Sequence, residues 1–493
     1  KIRDWWLRIP VNIEASFLSS DILSAKGKVE PIETNAENLG DIKLSIEAFS
    51  RPRQGNNRLM TITLVNRTGV ETGNYSRDRR SLFQSYFEAV VVDRNDNEQA
   101  RFLPYPETEA RRMDSEESSL DLLYRDIKTF AVGHGCSADW NWTEGAFAEK
   151  VVAEVFPVCE TPSITPDITD ADGNPLSLSM KVLAGLDPED DGLSGVAHLV
   201  SQYEIWITKQ RKIASTLPER YSDAANRHLS ACEEAAERMR DGLEFLENNR
   251  DAAVAFRLAN HAVLLQQMRG GREPRKATIN GSERLEFFES YQPVDINQRA
   301  TGRGTWRAFQ IGFLLMNLRS SAIGHDPDRE TIELIWFPTG GGKTEAYLGL
   351  TAYSLFMRRI KDNTDNGVHV LMRYTLRLLT SQQFQRACGL ICAMEYLRRS
   401  NSDLLGDDQF SIGLWLGGDS TPNRRVDALK KLKDLRKGGP DAENVFAVLK
   451  CPWCRAEMGP ITSGVGRRKK NYVIGYEQSG PSVVFKCPDS ACD

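Results

Sequence analysis

The sequence predicts a multidomain α/β protein, and three observations lead there. From about Thr301, apolar strand-like runs alternate with amphipathic helical stretches; a glycine-rich loop joins the first such run to the first such helix; and two close pairs of cysteines stand near the C-terminus. The expected order is a β-rich module over 1–160, a connector and helical region over 161–300, an α/β domain over 301–450 and a cysteine-bound insertion over 451–493 that reads as incomplete.

Composition sets the frame for these elements. With 493 residues, 40% apolar and 27% charged, the chain has the proportions of a globular protein of about two to four domains. No apolar run approaches the roughly 18 residues of a membrane span, so no membrane partner is expected. The chain opens on Lys1 without the pattern of a signal peptide and reads as trimmed at the front. Its net charge of −5 hides an asymmetry: residues 301–493 hold 27 Lys and Arg against 20 Asp and Glu, a balance of +7, which leaves −12 for the rest. The C-terminal part is thus the side suited to a polyanion. Of the nine cysteines, Cys136, Cys159, Cys232, Cys388 and Cys392 are scattered as in ordinary buried positions. That usage fits a reducing, cytoplasmic setting with one metal site better than a disulfide framework.

The N-terminal module shows the period of strands. Ile42, Leu44, Ile46 and Ala48 alternate with polar residues, Met60, Ile62 and Leu64 alternate with threonines, and Ser85 to Val92 adds a denser run. Thr161 to Gly192, rich in Pro, Asp, Gly and Ser, reads as a connector. Two helices follow, expected to form an antiparallel hairpin: Leu229, Cys232, Ala236, Met239, Leu243 and Leu246 recur at spacings of three and four, as do Val254, Leu258, Ala262 and Leu265. Beyond Thr301, expected strands Ile332–Phe337, Val368–Met372, Ser411–Leu416 and Val445–Leu449 alternate with helices, the pattern of a covered parallel sheet.

Pro338-Thr339-Gly340-Gly341-Gly342-Lys343-Thr344 follows the first of those strands. Glycines there let successive backbone N–H groups turn toward a phosphate, and the next helix adds the positive end of its dipole. Lys343 is placed to reach the β- and γ-phosphates of ATP, and Thr344 to offer a hydroxyl to Mg²⁺. The pattern has Phe337 where a strict phosphate loop has glycine. At the C-terminus, Cys451-Pro452-Trp453-Cys454 has the two-residue gap of a zinc knuckle, and Cys487 with Cys492 supplies a second pair, so four thiolates would close a structural Zn²⁺ site. Arg467 to Lys470, and the helix carrying Arg424, Arg425, Lys430, Lys431, Lys433, Arg436 and Lys437, are basic enough to contact phosphates or to form a solvated face. His134 and Cys136 lie in a glycine-rich turn and lack a third, orienting group; they read as structural. Cys388 and Cys392 read as small apolar residues facing the sheet.

The order of motifs resembles the first RecA-like domain of a superfamily 2 helicase. Arg307-Ala308-Phe309-Gln310 resembles the glutamine motif, with Gln310 reading adenine; Arg373-Tyr374-Thr375-Leu376-Arg377 resembles motif Ia; and Leu416-Gly417-Gly418 resembles a strand-end glycine pair. The runs Phe130 to Trp140, Leu334 to Tyr347 and Met372 to Leu379 further resemble the DrmA family, the large helicases of DISARM anti-phage systems. That resemblance, touching most of the chain from about residue 100, implies an ATP-driven DNA translocase or helicase working with a DrmB partner. Arg373, Thr375, Arg377, Gly417 and Gly418 would hold the DNA backbone, single-stranded or at a junction with duplex. Hydrolysis in such enzymes also needs an Asp-Glu pair and arginines from a second RecA-like domain. No Asp-Glu pair occurs in the 493 residues. The chain is therefore expected to be the N-terminal part of a longer enzyme and to hydrolyse no ATP alone. The alternatives are a nucleotide-gated nucleic-acid scaffold without translocation and an RNA helicase.

Overall fold

The computed structural model describes residues 9–24, 27–34, 40, 42–53, 55–69, 80–105, 113–158, 165–188, 190, 192–270, 273–297, 302–336, 340–374, 377–417, 421–438, 442–463 and 470–492. The chain divides into two compact units, Lys1–Thr161 and Pro162–Asp493.

The first unit is built on alternating sequence. Strands β1 (Ile32–Thr34), β2 (Leu44–Pro52) and β3 (Arg58–Asn66) form an antiparallel sheet in that order, with Ile46 opposite Leu64 and Ala48 opposite Ile62. Ala48 and Leu44 are buried, while Glu47, also buried, is neutralised by Lys28 at 3.0 Å and by Arg67. A second sheet, ordered β4 (Phe87–Val90), β6 (Lys150–Glu154), β5 (Ser137–Asn141), is antiparallel too. Cys136, expected to be buried, is exposed. It stands in a turn that closes on Gly133, where a Cβ would overlap the Cys136 carbonyl.

The second unit is a helical body. Its connector is only partly a connector: β7 (Ser177–Ser179) pairs with β10 (Thr305–Arg307), and helix α1 (Met180–Leu183) buries Met180 and Leu183 completely or nearly so. Apolar residues sparse enough to be diluted by Pro, Asp and Gly still found a core. Helices α2 (Leu193–Ala214), α3 (Ser222–Asn248) and α4 (Arg250–Gly270) follow, then α5 (Ala308–Ala322), α6 (Lys343–Lys361), α7 (Arg377–Arg399), α8 (Ser402–Leu405) and α9 (Arg425–Lys437). The helix pair expected as a hairpin is present as α3 and α4, joined through Asn249, but the two are not each other's main neighbours. Helix α3 packs on α2 and α5, and α4 on α6 and α7. The reason lies in the faces: α3 buries one stripe, whereas α4 buries Ala252, Ala255, Phe256, Ala259, Ala262, Val263, Leu265 and Met268 around its circumference.

The expected strands of a parallel sheet carry no ladder among the described residues, where the ladders are antiparallel apart from one isolated parallel bridge, Arg275 with Ala456. Residues 332–336, 368–374 and 411–417 run without strand pairing and expose Ile332, Leu334, Trp336, Val368, Leu371 and Trp415 by 81–98%. An apolar run becomes a strand only when neighbours take its N–H and C=O groups and cover both faces. The C-terminal part instead forms hairpins β11 (Gly459–Ser463) with β12 (Lys470–Ile474) and β13 (Tyr476–Ser479) with β14 (Ser482–Phe485). No helix among the described residues is long and apolar enough to cross a membrane.

Gly242 marks the closest approach of α3 to α5, since a Cβ there would overlap the Leu315 carbonyl. Alanine is intrinsically the better helix former by about 1 kcal/mol, but overpacking costs about 1–3 kcal/mol. Gly242→Ala should therefore destabilise the second unit, read as a lower denaturant midpoint of the helical signal; an unchanged or raised midpoint would contradict the packing described.

Candidate nucleotide and metal sites

The phosphate-loop residues Gly340, Gly341 and Gly342 run directly into α6, whereas Phe337, Pro338 and Thr339 lie outside the described residues. Gly340 and Gly342 adopt left-handed backbone, with φ of 89° and 92°. Gly342 occupies the cap position of α6 and no side chain caps the helix there. The start of α6 carries the positive end of the helix dipole, which favours an anion there. Lys343 and Thr344 are the first two residues of that helix, both half-buried.

The loop is held from β10 and the start of α5. Arg307 donates from Nη1 to the Gly341 carbonyl at 2.8 Å and from Nε to Asp167 Oδ1 at 3.1 Å. Gln310 donates from Nε2 to the Gly342 carbonyl at 2.7 Å, while its Oε1 accepts the Arg307 backbone N–H at 2.8 Å. At 4% exposure, Gln310 is a buried strut of the loop. A Cβ on residue 342 would lie 2.7 Å from its Nε2, a second reason for glycine besides the positive φ. Sequence reasoning singled out Gln310 but missed its partnership with Arg307 and the loop; the adjacency of the two residues at a helix start was the available signal. Helix α6 is braced further by an ion pair from Arg386 on α7 to Glu345 in its first turn.

The residues expected to hold nucleic acid are placed unevenly. Arg373 is exposed in the segment that, with Tyr347, Leu350, Thr351 and Ser354 of α6, lines a cleft of about 520 Å³. Arg377 begins α7, Gly417 is exposed in an unpaired segment, and Thr375 and Gly418 lie outside the described residues. None of Gly340 to Thr344 lines that cleft. The basic residues of α9 are exposed, and the helix buries Leu432 and Leu435. Helix α9 starts at Arg425, and Arg467, Arg468 and Lys469 lie outside the described residues. Lys470 pairs with Glu283 at 2.6 Å, both side chains being 65% exposed, a geometry that contributes little in water.

Cys451, Cys454, Cys487 and Cys492 converge, with every pair of sulfurs within 4.8 Å and Cys454 to Cys487 at 3.4 Å. Four thiolates about 2.3 Å from a tetrahedral Zn²⁺ would be about 3.8 Å apart. The donor set therefore fits one metal ion such as zinc. Local geometry supports this: the Cys454 N–H points to Cys451 Sγ at 3.5 Å, Arg455 takes a left-handed turn with φ 66°, and its N–H returns to the Cys451 carbonyl at 3.0 Å. Hydrogen bonds from Cys451 and then Cys487 hold Cys454 far below an ordinary thiol, while the bond to Cys451 pushes Cys492 far above it. Cys388 and Cys392 sit nearby on α7 as apolar residues, burial pushing both thiols up to about 12.

No protein-family model matches the chain. It is 33% identical over 367 residues to the DISARM protein DrmA of Bacillus paralicheniformis, an alignment covering 71% of this chain and 31% of that protein. The chain is DrmA-like. It spans under a third of the length of that curated relative, so the similarity places a segment and not a whole protein. Within this DrmA-like chain the phosphate loop and the cysteine cluster both lie in the unit from Pro162 to Asp493.

Binding of a cation to thiols displaces protons, so acid competes with the metal. Zinc carried at about pH 7.5 should be released on acidification toward roughly pH 5. Elemental analysis should find about one equivalent per chain, and Cys451→Ser should lower both metal content and thermal stability. Less than roughly half an equivalent, with stability unchanged in the variant, would remove the metal assignment.

Proposed function

We propose that this DrmA-like chain is the nucleotide-binding part of an ATP-dependent DNA translocase or helicase in a bacterial anti-phage defence complex, acting in the cytoplasm with a DrmB-like partner. The observation that carries the reading is the uncapped start of α6 at left-handed Gly342, at the end of a glycine-rich loop whose carbonyls are gripped from behind by Arg307 and Gln310. With the carbonyls taken, the loop's N–H groups are the side left for phosphate. Similarity to a DISARM protein supports the defence setting.

In this reading Gly340 to Gly342 with Thr339 cradle the β-phosphate and Lys343 neutralises the β- and γ-phosphates. The Thr344 hydroxyl would hold Mg²⁺, which supplies charge neutralisation between β- and γ-oxygens when bound. Gln310, after bonding the Gly342 carbonyl and the Arg307 N–H, retains one N–H and one lone pair for an adenine edge. Arg373, Thr375, Arg377, Gly417 and Gly418 would receive the DNA backbone, and the exposed basic residues of α9 offer further phosphate contacts. A RecA-like sheet is the fold this assigns to residues 332–336, 368–374 and 411–417, whose exposed apolar side chains are those a two-faced parallel sheet covers.

The decisive measurement is binding of a fluorescent ATP analogue with Mg²⁺. The chain should bind it without turnover, because no Asp-Glu pair occurs in its sequence. Lys343→Ala should weaken binding about tenfold or more while leaving DNA binding intact, a charge-assisted hydrogen bond being worth about 1.5–3 kcal/mol. Equal nucleotide affinity in the variant would defeat the proposal. Competition among single-stranded DNA, duplex DNA and RNA decides the polymer. Neutralising Arg424, Arg425, Lys430 and Lys431 should flatten the salt dependence of DNA binding by about 0.7–0.9 log units for each phosphate no longer neutralised; an unchanged slope would make α9 a solvated face.

A further inference from the structure

The two cysteine loops are 451–456 and 487–492, and a residue from neither bonds both. Arg275 lies far away in sequence, just before β-strand β8 (Ala277–Ile279), which pairs with β9 (Leu285–Phe287). Its main chain joins the first loop on both sides: its N–H donates to the Arg455 carbonyl at 2.9 Å, and its carbonyl accepts the Glu457 N–H at 3.0 Å. Its side chain then bridges the loops. Nε donates to the Cys454 carbonyl at 2.9 Å and Nη2 to Asp489 Oδ2 at 2.6 Å, while the other oxygen of Asp489 accepts the Ala491 N–H at 2.9 Å, shaping the turn that carries Cys492. Nη1 donates to the Glu289 carbonyl at 3.1 Å, and the guanidinium lies 5.0 Å from the Phe287 ring centre and 5.7 Å from that of Tyr291.

We propose that Arg275 is a positioning residue of the metal centre, clamping both cysteine loops so that retention of the ion depends on the segment from Arg275 to Tyr291 as well as on the four thiols. The proposal rests on the metal reading of the cluster. Arg275 is 7% exposed, and every nitrogen of its fork has a named acceptor. A planar fork with fixed donor directions can span two loops in this way; a lysine ammonium, a single point of charge on a flexible stem, cannot reproduce it. The cation also stands beside a site that is net negative when four thiolates hold one divalent ion. Groups that orient ligands from behind typically affect metal affinity about 10–100-fold.

The test uses the whole chain loaded with zinc and follows transfer of the metal to an excess of a chromophoric chelator. Arg275→Lys and Asp489→Asn should each release zinc about 10–100-fold faster than the unchanged chain, with helical circular dichroism preserved. Glu283→Gln, which removes an exposed pair on the same hairpin, should release it at the original rate. After cobalt substitution, the thiolate absorption of both clamp variants should still report four sulfurs, which separates a misplaced loop from a missing ligand. Should Arg275→Lys lose its helical signal, Asp489→Asn decides alone. Release within about twofold of the unchanged chain in the folded variants overturns the clamp while leaving the metal site standing. An unchanged chain that holds less than roughly half an equivalent of zinc overturns the metal reading and the clamp with it.

Discussion

Burial of α4 over most of its surface is the constraint on which the second unit depends. A helix packed among others must direct its buried polar groups at partners, and two such residues on α4 matter here. Asn260, 2% exposed, accepts the Trp306 indole N–H at 2.6 Å and returns its own amide to the Phe256 carbonyl at 2.8 Å. Arg269, 4% exposed, donates to the Gln292 carbonyl at 2.7 Å and the Tyr291 hydroxyl at 2.6 Å, with its guanidinium 4.8 Å from the Trp453 ring centre. The first bond fixes β10, from which Arg307 reaches the phosphate loop. The second seats the tryptophan between the first two cysteines. One central helix thus supports both candidate sites, because two of its buried polar side chains are directed at the elements that carry them.

The two sites share a structural device. Each has a loop whose ligand-facing groups must point one way, and each is gripped from behind by an arginine that consumes carbonyls pointing the other way. At the phosphate loop Arg307 takes the Gly341 carbonyl, with Gln310 taking that of Gly342; at the cysteine loops Arg275 takes that of Cys454. Bonds from an arginine to a carbonyl are worth about 1.5–3 kcal/mol each. They narrow the geometries available to glycine-rich and cysteine-bearing turns, which have little rigidity of their own.

Much was legible in the sequence where structure is local. The three- and four-residue spacing of Leu229 to Leu246 marks α3, alternation marks β2 and β3, and the cysteine pairs mark the cluster. Less legible was anything decided by neighbours. The apolar runs around Trp336, Leu371 and Trp415 have the composition of buried strands, yet no ladder pairs them among the described residues. Composition sets the preference for a covered position; hydrogen-bonding partners make a strand. The core residues Met180 and Leu183 were hidden by the turn-forming residues around them, and the partners of α3 and α4 follow from shapes of faces that spacing alone does not encode.

By itself the sequence determined the residue types and short spacings on which the phosphate and metal readings rest: three glycines before Lys343 and Thr344, and two close cysteine pairs. Tertiary structure decided what holds them in place. Arg307, Gln310 and Arg275 act across chain separations of up to 214 residues, at distances set by packing of the helical body around α4. A motif repeats a local geometry and can be read in a short window. A clamp is a meeting of remote segments, and its partners are chosen by the folded core.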